Sequence, residues 1–99
     1  MNAMPTTVVN IYKNRSYDVY IGRGSIWGNP FHQGADGNRY QVVAKYRSYI
    51  LNRPDLLAKL PTLKGKILGC YCKPLMCHGD VLVELLREME KGEINSARF

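Results

Sequence analysis

Apolar and polar positions alternate in three short segments of the chain. Residues 7–12 are β-branched and aromatic and predict a first strand, and residues 17–21 alternate as a second. The polar turn at 13–16 between them predicts a hairpin. Residues 66–72 are predicted as the third strand, with Leu68, Cys70 and Cys72 on one face. We expect this third strand to be central, with strand 7–12 beside it.

Two longer segments have the period of amphipathic helices. Residues 39–52 follow a candidate N-cap at Asn38, and residues 79–91 precede a candidate C-cap at Gly92. A short helix over 54–60 begins at Pro54 and stops before Pro61. The predicted order is β-β-loop-α-α-β-α, which indicates an α/β domain whose sheet of three or four strands is flanked by helices.

The length and net charge of the chain indicate what kind of protein it is. Its 99 residues predict one domain over 1–99, with loose ends at 1–6 and 93–99, and no apolar run is long enough for a membrane span. The net charge of +6 favours a phosphate-bearing partner, either a nucleotide or a nucleic acid, although a solvated basic surface explains it equally well. A core of this size is also compatible with a homodimer.

All three cysteines and one of the two histidines fall within residues 70–78. The odd number of cysteines and the lack of an export signal favour the cytoplasm, where clustered cysteines indicate a metal or a reactive thiol. Cys70, Cys72, Cys77 and His78 form a candidate Cys₃His set for zinc, with an iron–sulfur cluster as second choice. Since adjacent Cys77 and His78 are difficult to place on one ion, three thiolates with an open position are an alternative.

Two other interpretations of this segment stay open. A Cys77 thiolate at the start of a helix would act as a nucleophile, with His78 and Asp80 assisting. Three buried thiols would instead be inert core residues. We rank the metal site first, the reactive thiol second and the inert core third.

A long loop over residues 22–38 is the second candidate for a site. Gly22 and Gly24 would let the backbone N–H groups approach a phosphate, and Arg23 would grip it with its guanidinium fork. Three aromatic side chains are candidates for stacking on a base: Tyr20, Trp27 and Phe31. A packed surface loop anchored by Trp27 accounts for the same pattern.

The two segments together resemble the DUF4326 family, a small domain of unknown function seen in phages and bacteria. They read YIGRG…WGNPF at 20–31 and LKGK…LGCYCKP…CHGDVL at 63–82, and the likeness covers residues 8–86. The resemblance implies a site but no activity, because the family has no established one. The site residues that it implies are Asn10, Gly22, Arg23, Asn29, Cys70, Cys72, Cys77, His78 and Asp80. The Cys-His pair is also similar to the end of DUF488-type domains, which implies a Rossmann-like fold by analogy.

The two segments predict a shared pocket. We expect the 22–38 loop to fold over the carboxyl end of strand 66–72, so that Arg23 and Asn29 approach Cys77. The leading hypothesis is a nucleotide- or nucleic-acid-phosphate-binding module with a Cys/His metal site. One alternative is a Cys77-dependent enzyme acting on a nucleotide or nucleoside. The other is a phage-type inhibitor, ligand-sequestering or interaction protein that uses the basic helix 39–52 as its contact face.

Overall fold

The computed structural model describes residues 5–13, 16–73 and 75–93. The strands are β1 (Thr7–Asn10), β2 (Val19–Tyr20) and β3 (Ile67–Cys70). The helices are α1 (Arg39–Leu51), α2 (Pro54–Lys59) and α3 (His78–Glu90), and a 3₁₀ helix at Leu60–Leu63 continues α2. The predicted element order is confirmed for the described residues. The loose ends expected at 1–6 and 93–99 fall mostly outside them, at 1–4 and 94–99.

The sheet has β3 in its centre, and both outer strands run parallel to it. Thr7–Asn10 pair with Ile67–Cys70 on one side, and Val19–Tyr20 pair with the middle of β3 on the other. The predicted hairpin is therefore wrong, since β1 and β2 point in the same direction and do not touch. The central place of β3 beside β1 is confirmed, whereas a Rossmann-like strand order is not confirmed.

The residues that directly follow β1 and those that directly precede β2 lie over one face of β3. The connection starts at Ile11, whose N–H donates to Cys70 O over 3.0 Å, and it ends at Asp18, whose N–H donates to Ile67 O over 2.8 Å. Its two ends cover Gly69, where an added Cβ would lie 2.6 Å from Ile11 Cγ2 and 2.8 Å from Tyr17 Cγ. So short a crossover is therefore compatible only with a residue that has no side chain at position 69.

The opposite face of the sheet forms the core with α1 and α3. Leu68 and Cys70 project from β3 into it and have no exposed surface. The helices contribute mainly Tyr46, Ile50, Leu82 and Leu85. Arg47 of α1 points toward α3, and its Nη2 lies 2.7 Å from Glu88 Oε1. It therefore joins the two helices instead of facing solvent freely.

The predicted N-cap of α1 is confirmed, whereas the C-cap of α3 is Lys91, one residue before the predicted Gly92. Asn38 Oδ1 accepts the N–H of Gln41 over 2.9 Å, and Gln41 Oε1 accepts the N–H of Asn38 over 2.8 Å, which closes a capping box on α1. Gly92 follows α3 with a φ of 78°, a left-handed conformation that suits glycine after a helix. Within the described ranges, no helix has the length and apolarity needed to cross a bilayer.

Candidate ligand cavity and cysteine cluster

A cavity of about 390 Å³ lies at the carboxyl edge of the sheet. The end of β2, the 22–38 loop, the start of α1 and the segment after β3 supply its walls. The predicted site residues that line it are Gly22, Arg23, Asn29, Cys72, Cys77 and His78. The loop and the start of α3 therefore meet in one pocket, as the sequence predicted.

The three cysteines come together beside this cavity. Cys70 ends β3, Cys72 follows two residues later, and Cys77 is the N-cap of α3. Their sulfur atoms all lie within 4.8 Å of one another, and Cys70 Sγ is 3.0 Å from Cys77 Sγ. Thiolates on one tetrahedral zinc ion are about 3.8 Å apart, because each Zn–S bond is about 2.3 Å long. The cluster needs adjustments of only about 1 Å to hold the ion, so these residues fit a metal.

Hydrogen bonds within the cluster favour a negative charge on Cys70. The thiols of Cys72 and Cys77, with the backbone N–H groups of Cys72 and Lys73, donate toward the Cys70 sulfur and lower its pKa to about 2. The hydrogen bond with Cys70 raises the pKa of Cys72. The hydrogen bonds with Cys70 and Cys72, together with burial, raise the pKa of Cys77. The negative charge of the cluster is therefore favoured on Cys70 over Cys77.

His78 is oriented by the backbone of the loop. Its Nε2 lies 2.6 Å from Ile21 O, and because a carbonyl only accepts, Nε2 carries the proton. Burial, the largest cause, and the charge of Arg23 both lower the pKa of His78, so the ring is neutral near pH 7. Nδ1 lies 3.7 Å from Cys77 Sγ. Among the described residues, the ligand atoms close enough together to share one metal ion are the sulfurs of the three cysteines, and His78 does not belong to this group. The structure therefore brings together a Cys₃ set and not the expected Cys₃His set.

Asp80 holds the start of α3 in place. Its Oδ2 accepts the N–H of Cys77 over 3.1 Å, and its Oδ1 is 2.5 Å from Lys73 Nζ. The Cys77 sulfur in turn accepts the N–H of Gly79 over 3.3 Å. These contacts fix the turn between Cys72 and Cys77, which makes Asp80 a positioning residue in this structure.

Three residues predicted to bind a ligand lie away from the cavity lining. Trp27 is only 4% exposed in the core, and its carbonyl accepts the Tyr46 hydroxyl, which agrees with the alternative of a packed loop anchored by Trp27. Gly24 lies in an exposed turn with a φ of 92°. Asn10 Nδ2 donates to Lys73 O over 2.6 Å, so Asn10 supports the cysteine segment from β1.

The cavity also contains residues that the motifs did not reveal. Arg39, the first residue of α1, lines it and donates to Met76 O over 3.2 Å. Tyr71 lines it as well, although strand alternation placed this residue on the face away from the cysteines. Since β3 ends at Cys70, alternation no longer determines the direction of position 71. The sequence did contain one signal for Arg39. It directly follows the predicted N-cap, which places it at the end of α1 that faces the sheet edge.

These features define a small α/β protein with a cavity and a cysteine cluster at the carboxyl edge of a parallel sheet. The chain belongs to the DUF4326 family, described as a domain of unknown function, whose family model matches residues 9–88. It is similar to an uncharacterized 12.4 kDa protein of the nrdA-td intergenic region of Enterobacteria phage T4, with 36% identity over 90 residues that cover 87% of this chain and 82% of that protein. An uncharacterized protein of Acanthamoeba polyphaga mimivirus is 35% identical over 100 residues, which cover 83% of this chain and 76% of that protein. No solved structure matches the chain.

Proposed function

We propose that the cavity binds the phosphate-bearing part of a nucleotide and that the cysteine cluster beside it binds zinc. The observation that carries the nucleotide proposal is Arg23, which lines the cavity while its guanidinium has no hydrogen bond or ion pair to any other described residue. Other basic side chains are already paired with carboxylates: Arg47, Arg53, Lys64 and Lys73. An unpaired guanidinium at a cavity wall is suited to a phosphate, which it binds through two parallel hydrogen bonds.

The rest of the lining supports a ligand with a charged part and a flat apolar part. Arg39 adds a second guanidinium to the lining. Phe31, Val42 and Val43 supply an apolar wall. The volume of about 390 Å³ lies within the range of about 300–1,000 Å³ that is usual for small-molecule sites. A nucleotide combines the two parts that such a cavity accepts.

The zinc proposal rests on the chemistry of the sulfur atoms. Cys70, Cys72 and Cys77 supply three soft ligands, which select zinc over magnesium or calcium. An iron–sulfur cluster is the second choice, because such clusters are usually bound by about four cysteines and this chain has 3. Three thiolates leave a fourth zinc position open, and Cys72 and Cys77 both line the cavity. When bound, zinc supplies folding free energy by joining the end of β3 to the start of α3.

Calorimetric titration with nucleoside mono- and triphosphates at about 50 and about 200 mM salt tests the nucleotide proposal. We expect measurable affinity that weakens with salt and falls about tenfold or more in Arg23→Ala, since a hydrogen bond to a charged group contributes about 1.5–3 kcal/mol. Arg87→Ala is the matched control, because Arg87 is an exposed arginine of α3 outside the cavity lining. Its affinity should equal that of the wild type.

Two results would contradict the proposal. Equal nucleotide affinity in Arg23→Ala and the wild type would show that this guanidinium does not bind phosphate. A titration without salt-sensitive binding to any of the nucleotides would remove the nucleotide function altogether.

A further inference from the structure

Three tyrosines lie at the carboxyl edge of the sheet, one at or just after the end of each strand. Tyr12 follows β1 by two residues, Tyr20 ends β2, and Tyr71 comes directly after β3. The ring centroids of Tyr12 and Tyr71 are 4.9 Å apart, and those of Tyr20 and Tyr71 are 6.1 Å apart. Because β3 is the central strand, Tyr71 stands between the other two rings, and the three form a tyrosine row across the sheet edge.

The tyrosine row is open to solvent at one end and reaches the cavity at the other. Tyr12 is 77% exposed and Tyr71 is 49% exposed, so folding does not bury these rings. Tyr20 and Tyr71 belong to the cavity lining that also contains Arg23. The Tyr20 hydroxyl donates to Arg23 O over 3.0 Å, which ties the inner end of the row to the predicted phosphate-binding residue. The row and the cavity therefore form one continuous surface.

This edge of the molecule is basic. Lys13 adjoins Tyr12 and is exposed, while Arg23 and Arg39 stand at the cavity. Glu90, near the end of α3, lies toward the opposite edge, where its Oε1 is 3.4 Å from Nζ of Lys64 just before β3. Asp80, an acid at this edge, is neutralised by Lys73. Charge and aromatic rings therefore coincide at the carboxyl edge.

We propose that the tyrosine row binds a single-stranded nucleic acid, with bases stacked on Tyr12 and Tyr71 and the adjoining phosphates led toward Arg23. Exposed rings beside a basic groove are the general means by which proteins hold single strands, because every base presents a flat face to an aromatic ring. A duplex would not use the row, since its bases are already stacked on one another. The inference rests on the proposed nucleotide function and deepens it, because it makes a strand, and not only a free nucleotide, the ligand.

Fluorescence anisotropy with a labelled oligothymidylate of about ten nucleotides tests the row directly. We expect salt-sensitive binding to the wild type and a loss of affinity of about tenfold in both Tyr12→Ala and Tyr71→Ala. Tyr71→Phe keeps the ring and should stay within about twofold of the wild type. Tyr40→Ala is the matched control, because Tyr40 is 69% exposed on α1 and belongs neither to the row nor to the cavity lining.

The design separates failure of this inference from failure of the proposed function. Tyr12 is the most exposed of the large hydrophobic side chains in the described ranges, so its replacement leaves the core untouched and gives a readout even if Tyr71→Ala folds poorly. If Tyr12→Ala and Tyr71→Ala bind the oligothymidylate as tightly as the wild type does, and the wild type binds nucleotides, only the tyrosine-row proposal is overturned. A wild type that binds nucleotides but not the oligothymidylate would do the same. A wild type that binds neither would overturn both proposals.

Discussion

At the scale of single residues, two glycines shape the sheet edge by leaving room for aromatic side chains. Gly69 lies under the crossover that carries Ile11 and Tyr17. An added Cβ at Gly22 would lie 2.3 Å from the Tyr20 hydroxyl oxygen. Gly22 was predicted to offer its N–H to a phosphate, and its close approach to the Tyr20 ring is a second reason for glycine at that position. Both residues act through the absence of a side chain.

We predict that Gly69→Ala destabilises the protein by about 1–3 kcal/mol, the usual effect of forcing an extra methyl group into a packed site. Ile11, Tyr17 or β3 itself would have to move to make room for the added methyl group. Urea unfolding followed by circular dichroism measures the change. Lys66→Ala, an exposed position beside the same strand, should stay within about 0.5 kcal/mol of the wild type. Equal stability of Gly69→Ala would mean that the crossover does not lie on β3.

At the scale of elements, the junction of α1 and α3 holds the two helical walls of the cavity together. Arg47 Nη1 donates to Glu88 Oε2 over 2.8 Å, and Arg47 Nη2 donates to Glu88 Oε1 over 2.7 Å, so the pair is bidentate. The hydrogen bond from Arg47 holds the pKa of Glu88 below its ordinary value. The ion pair therefore contributes stability that depends on pH.

We predict that Glu88→Gln costs about 1 kcal/mol at pH 7 and that this cost disappears in acid. The contribution is fully present above the pKa of an unfolded glutamate, about 4.3, and is lost as the pH falls through the lower pKa of folded Glu88. Unfolding free energies of both proteins between about pH 7 and pH 3 measure it. In the control Glu90→Gln the change should be near zero, because Lys64 and Glu90 are 50% and 52% exposed. A cost of Glu88→Gln that is the same at every pH would contradict the ion-pair explanation.

At the scale of the whole molecule, one edge of the sheet collects the chemistry of the chain. Parallel strands end on the same side, so the three strand ends, the glycine-rich loop and the start of α3 meet there. The cysteine cluster connects β3 and α3 at this edge, where Cys70 and Cys77 are part of the core. A metal bound there would stabilise the fold and shape the cavity together.

We predict about one zinc per chain in freshly purified protein, measured by plasma mass spectrometry. A chelator should lower the thermal unfolding temperature, and zinc but not magnesium should restore it. Cys70→Ser should lose both the metal and stability, because Cys70 is fully buried and belongs to the cluster. Leu75→Ser, an exposed position in the same turn, is the control and should keep its zinc. Protein without metal, in which all three thiols react with a thiol reagent after unfolding, would contradict the zinc proposal.

The sequence by itself determined the elements, the α/β class and the segments that form the site. Local signals were sufficient there, because the N-cap at Asn38, the glycine that follows α3 and the helical periods depend on neighbours a few residues away. The central position of β3 was expected as well, and the strand order confirms it. The family likeness identified the loop and the cysteine segment together, and Arg23, Cys72 and Cys77 do share the cavity.

Only the tertiary structure decided how these segments face one another. The parallel direction of β2 could not be predicted, because a turn-like segment at 13–16 is compatible with a hairpin until packing on Gly69 selects the crossover. The sequence left Trp27 open as a ligand contact or a loop anchor, and the structure places it in the core, since composition does not tell which side of a loop is buried. The row of Tyr12, Tyr20 and Tyr71 is invisible along the chain, because its members come from three strand ends that are neighbours only in the folded sheet.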